Sequence, residues 1–98
     1  MRDPHAELRN QVLGQVLNGP GQTEPALRNA AAANSGVPVE LRALIDKIHA
    51  HAYRVTEGDI TQLEGSYDED ELFEIVVSAA LGASRKRLLS GLDAVEAA

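Results

Sequence analysis

The 98-residue chain contains no cysteine and no tryptophan, and its only aromatic residues are Tyr53, Tyr67 and Phe73. Without a thiol there is no disulfide, no thiol nucleophile and no cysteine-based zinc or iron–sulfur site. Long apolar runs are also lacking. The longest, Ile75 to Ala83, is interrupted by Ser78 and Gly82, far short of the roughly 20 residues that span a bilayer. No membrane partner is expected. Basic charge is scarce: nine Lys and Arg stand against fifteen Asp and Glu, a formal charge of −6. That balance argues against binding a phosphate backbone, so no nucleic-acid partner is expected. Met1-Arg2-Asp3-Pro4-His5 has no apolar stretch behind it, so no secretory signal is read there. The absence of cysteine fits a reducing compartment, and the expected location is cytoplasmic.

What is present is helical. The expected fold is all-α, one domain over 1–98 with about five helices, residues 1–37 forming N-terminal helices and loops. Asn18-Gly19-Pro20-Gly21 and Asn34-Ser35-Gly36-Val37-Pro38 are turns, and Gly65-Ser66 is a third break. Pro20, Pro25 and Pro38 suit helix starts or bends just before them. Between the breaks, apolar residues recur at helical spacing. A first helix, about 5–17, carries Leu8, Val12, Leu13, Val16 and Leu17 on one stripe. A second, about 24–33, is rich in alanine, which favours helix but buries little area. A third, about 38–55, aligns Leu41, Leu44, Ile45, Ile48, Ala52 and Val55. A short fourth, about 57–64, opens with Thr56 and Asp59 as a capping box. Asp68 and Glu71 form another for the fifth, with Glu69, Asp70 and Glu71 in the first turn, where the helix dipole favours negative charge.

The fifth helix is apolar nearly all round: Leu72, Phe73, Ile75, Val76, Val77, Ala79, Ala80, Leu81 and Ala83. Such a helix is expected to be covered on every side. A chain of this length has little core to surround it with. A homo-oligomer formed through residues 68–83 is therefore expected. Gly82 lowers helix propensity by about 1 kcal/mol against Ala, which suggests that another backbone packs close there. After Arg85-Lys86-Arg87, Leu88, Leu89, Leu92 and Val95 continue an amphipathic helix.

Charge is unevenly spread. Residues 1–54 carry a net +1 and residues 55–98 a net −7. Eight acids lie between Glu57 and Glu74 with no base among them, while the bases of the second half cluster at Arg85, Lys86 and Arg87. These bases are expected to pair with the acidic block of a neighbour.

Several phrases then suggest a family: His51-Ala52-Tyr53-Arg54-Val55-Thr56-Glu57-Gly58-Asp59-Ile60, Leu63, Gly65, Tyr67-Asp68-Glu69-Asp70-Glu71-Leu72-Phe73-Glu74, Ala79-Ala80-Leu81-Gly82-Ala83 and Arg87-Leu88. Residues 51–95 resemble the short members of the carboxymuconolactone decarboxylase and alkylhydroperoxidase D-like superfamily. The resemblance implies an all-helical, oligomeric protein. The family's peroxidase uses a Cys-x-x-Cys pair. This chain has neither thiol, so no residue inherits the nucleophile role. Two roles remain open. One is a binding, structural or auxiliary subunit, with a cysteine-bearing relative as a candidate partner. The other is a thiol-independent lyase or isomerase acting on a small organic acid. A small-molecule ligand held between subunits is a third option.

Candidate acid–base groups are His49, His51 and Glu74. The two histidines lie on opposite flanks of the third helix, at a spacing unlike the i,i+4 pair of a helical zinc site. His51 is expected at the boundary, half-buried and hydrogen-bonded. Asp46 is placed to reach His49 along the helix. Glu74 is expected in a buried helix and so must be paired or protonated. Arg87 or a histidine of the third helix is its expected partner. Asp68-Glu69-Asp70-Glu71 lacks the glycine and alternation of a calcium loop. No metal or cofactor is expected.

Overall fold

A computed structural model describes residues 6–97, apart from the side chains at 6, 9, 13 and 97. His5 and the side chain of Leu13, both part of the first helical reading, lie outside the described residues. The described span is all-helical. Its elements are α1 (Ala6–Asn18), α2 (Pro25–Ala33), α3 (Arg42–His51), α4 (Glu57–Thr61) and α5 (Glu69–Ala97). Short 3-10 turns, Val39–Leu41 and Ala52–Arg54, flank α3. No described helix is long and apolar enough to cross a membrane.

Local chemistry sets the boundaries. Pro25 opens α2 in its first turn, where its missing N–H is not needed. Asn34 closes α2 in the left-handed region at φ 54°, and Ser35 N–H donates to Ala30 O. This arrangement satisfies carbonyls that the helix leaves free. The 38–55 segment is three pieces rather than one helix: a 3-10 turn up to Leu41, then α3, which ends where His51 leaves helical geometry at φ −150° and ψ 67°, and a second 3-10 turn. Both capping boxes form. Thr56 N–H donates to Asp59 Oδ2 at 2.8 Å and Asp59 N–H to Thr56 Oγ1 at 3.3 Å. Asp68 N–H donates to Glu71 Oε1 at 3.0 Å, and Glu71 N–H to Asp68 Oδ1 at 2.8 Å. Lys47 grips both carboxylate oxygens of Asp59, at 3.0 and 2.9 Å, and so ties the start of α4 to α3.

The core gathers Leu44, Ile45 and Ile48 of α3 with Leu72, Ile75 and Ala79 of α5, closed by Ala31, Val37, Leu41 and Leu63. Each large aliphatic side chain buried there contributes about 1.5–3 kcal/mol. Ala52, expected on the α3 core face, is exposed in the turn after the helix. α5 packs on α2 and α3, and α1 lies mainly on α2. At 29 residues, α5 is about 43 Å long, close to the longest dimension of the molecule, 47 Å.

The chain's own residues cover only one face of α5. Leu72, Ile75, Ser78, Ala79, Gly82 and Ala83 are buried; Phe73 and Ala80 are exposed. The expected enclosure on all sides is therefore not supplied within one chain. The close backbone at Gly82 is within the chain as well. A Cβ there would overlap Ala32 O and lie 2.5 Å from Ala32 Cα, so Gly82 is what lets α5 reach the end of α2.

Candidate functional site

The richest polar cluster lies where the loop after α1 meets α5. Glu74 sits in the second turn of α5, between exposed Phe73 and buried Ile75. Its carboxylate accepts from Gln22 N–H at 2.6 Å, Thr23 N–H at 3.3 Å and Thr23 Oγ1 at 3.0 Å. Arg28 Nε lies 3.8 Å from its Oε1. Gly21 allows this approach, because a Cβ there would strike the carboxylate. The Gln22 N–H, followed by the Thr23 donors and the Arg28 charge, holds the Glu74 carboxyl below its ordinary pKa against the opposing effect of burial.

Arg28 is the other half of the cluster, and its role is not legible in the sequence. It is 3% exposed. Its guanidinium donates to Val16 O at 2.6 Å, Gly19 O at 2.7 Å and Thr23 O at 3.2 Å. It thus caps the carbonyl end of α1 with a positive charge, as the helix dipole favours, while balancing Glu74. A buried arginine must be paired in this way. The only cue in the sequence is a lone cation inside the Ala26–Ala33 stretch. Glu74 therefore pairs with Arg28 and the 22–23 loop, not with Arg87 or a histidine of α3.

Arg87 instead donates to His49 O at 3.0 Å, and Lys86 to Ala33 O at 3.0 Å. These two bases cap the carbonyl ends of α3 and α2. His49 Nε2 lies 2.8 Å from Ala31 O, so that nitrogen carries the proton and donates. Asp46 makes no hydrogen bond to His49. His51 is exposed and contacts Tyr53 edge-on, with ring centroids 5.8 Å apart. It is not the half-buried, hydrogen-bonded residue expected. No hydrogen bond joins His49, His51 and Glu74 to one another. Among the described residues, no group of three His, Asp or Glu is placed to hold a metal ion.

Two clefts flank Phe73. One, of about 380 Å³, runs between the end of α1, Pro20-Gly21 and α5; Glu74, Arg28, Val77 and Ser78 line it. The other, of about 360 Å³, is bordered by Ile60, Glu64, Glu69, Leu72 and Val76. Phe73 is 69% exposed between them.

The outer face of α5 carries a second pattern. Phe73, Val77, Ala80, Ser84, Leu88, Gly91 and Val95 recur every three or four residues and bear no charge. All but the half-buried Val77 are exposed. The stripe starts beside Glu69, Asp70 and Glu71 and passes Arg85, Lys86 and Arg87.

No family model matches the chain, and no curated protein or solved structure matches it either.

Proposed function

We propose that this protein is a structural or binding subunit that self-associates through the outer stripe of α5, with two copies packed antiparallel. The observation that carries the reading is the uncharged stripe itself, with Phe73, Leu88 and Val95 at 69%, 43% and 59% exposure. A contiguous apolar surface of this kind marks an interaction site. Charge favours a second copy as the occupant. An antiparallel alignment that sets Glu69–Glu71 of one copy opposite Arg85–Arg87 of the other is centred near residue 78. Both ends of the pair are then complementary, as a two-fold interface requires. A parallel alignment would set like charges together. In this alignment the two α5 helices overlap over residues 69–87, where Phe73, Val77, Ala80 and Ser84 meet; Ala80 and Ser84 are small enough for the helices to approach.

An acid–base enzyme is less well supported. His49 is occupied with a backbone carbonyl, and His51 stands apart from Glu74 in solvent. Membership of the carboxymuconolactone decarboxylase and alkylhydroperoxidase D-like superfamily would agree with a helical assembly. The proposal does not depend on it.

The cysteine-free sequence makes the alignment testable. In the antiparallel pair, Ala80→Cys lies near its own counterpart and forms a disulfide-linked dimer on mild oxidation. Residue 95 of each copy lies about 50 Å from the other, so Val95→Cys stays unlinked. Linking at 95 and 80 alike would overturn the antiparallel arrangement. Linking at neither would overturn the interface.

A further inference from the structure

The cleft between α1 and α5 has a polar floor with unused donors. Ser78 is fully buried on α5, yet its Oγ has no hydrogen-bond partner. A serine within a helix ordinarily bonds the carbonyl one turn back; this one does not. Arg28 is 3% exposed, and its Nε also lacks a hydrogen-bond partner, Glu74 being 3.8 Å away. Both residues line the same cleft, whose walls include Val16, Pro20, Phe73 and Val77. Two buried, unpaired donors under an apolar cleft are uncommon, because a polar group taken out of water without a partner loses its hydration and gains nothing in exchange.

We propose that this cleft binds a small uncharged molecule with an apolar body and one carbonyl oxygen, which accepts from Ser78 Oγ and Arg28 Nε. A carbonyl oxygen has two lone pairs and so matches two donors. Charge selects against the alternatives. Glu74 and Arg28 already balance one another, so the cleft has no net charge left to offset that of a bound anion or cation. The volume, about 380 Å³, lies at the small end of ligand pockets. Every lining residue belongs to one chain; two of them, Phe73 and Val77, also lie on the outer stripe of α5, so self-association would border the cleft without supplying either donor.

The test is a titration of the isotopically labelled protein with three probes, followed by amide NMR shifts. Acetophenone supplies the ring and the carbonyl, ethylbenzene the same skeleton without oxygen, and benzoate a charged version. Acetophenone is expected to move the amides of Gly21, Thr23, Val77 and Ser78 and to bind about five- to tenfold more tightly than the other two, the worth of roughly one net hydrogen bond. Ser78→Ala is expected to fold, to melt no lower than the wild type because it removes an unpaired hydroxyl, and to reduce the preference for acetophenone over ethylbenzene, Arg28 Nε remaining. Equal binding of the two probes, unmoved cleft amides, or a preference undiminished in Ser78→Ala would each overturn the proposal. The first two results would be expected if a trapped water already satisfied both donors.

Discussion

Arg28 and Glu74, on α2 and α5, face each other at 3.8 Å across the loop that leaves α1. The pair joins three helices, because Arg28 also holds the carbonyls of Val16 and Gly19 and Glu74 also holds the amides of Gln22 and Thr23. Breaking one member leaves the other without its balance.

Glu74→Ala is therefore expected to destabilise the fold by about 1–3 kcal/mol, the loss of charge-assisted hydrogen bonds to a half-buried carboxylate. The pH dependence follows from the lowered pKa of Glu74. Its folded value lies below its unfolded one, so its contribution is fully present above about pH 4.5 and is lost as pH falls through the folded value. Thermal melts from neutral to acid pH should show a flat melting temperature above that point and a fall below it. The fall should be shallower in Glu74→Gln. An equally steep fall in the variant would mean that Glu74 does not carry it.

Tyr67 makes the opposite prediction at high pH. Burial, then the hydrogen bond to Glu40 at 2.8 Å, pushes its phenol up to about 12. The neutral phenol is favoured in the folded state. Its contribution is fully present below the ordinary value near 10 and is lost as pH rises through about 12. In a Tyr53→Phe background, phenolate absorbance reports Tyr67 alone. Its titration should be displaced upward, and Glu40→Gln should bring it back toward the ordinary range.

Two glycines separate helix propensity from packing. A Cβ placed on Gly14, inside α1, would meet nothing within 4 Å, whereas one on Gly82 would run into the backbone of Ala32. Gly14→Ala should raise stability by about 0.5–1 kcal/mol. Gly82→Ala gains the same propensity but forces α2 and α5 apart, so the denaturation midpoint should fall, by about 1–3 kcal/mol of stability. A stabilising Gly82→Ala would mean that the two helices do not meet so closely.

The legible features of the fold are the local ones. Thr56 with Asp59 and Asp68 with Glu71 signal their caps within four residues, and the buried face of Leu41, Leu44, Ile45 and Ile48, running from the 3-10 turn into α3, follows from spacing alone. Close packing at Gly82 is also readable, but not its partner, because α2 lies some fifty residues away and alanine gives no sign of which helix it will meet. The site is half legible. Glu74 stands out as a carboxylate in an apolar helix. Arg28 does not, since its three carbonyl partners and Glu74 come together only when the loop folds back. The histidines draw attention by residue type, and the structure gives His49 a helix-end carbonyl and His51 only Tyr53.

Sedimentation equilibrium of the wild type beside Phe73→Glu decides whether the protein self-associates through the outer stripe of α5. Phe73 is exposed, so the substitution leaves the core of a single chain intact. The wild type is expected at the mass of two chains at micromolar concentration, and the variant at that of one chain. A wild type that sediments as a single chain throughout, or a variant that dimerises as tightly, would contradict self-association through that stripe.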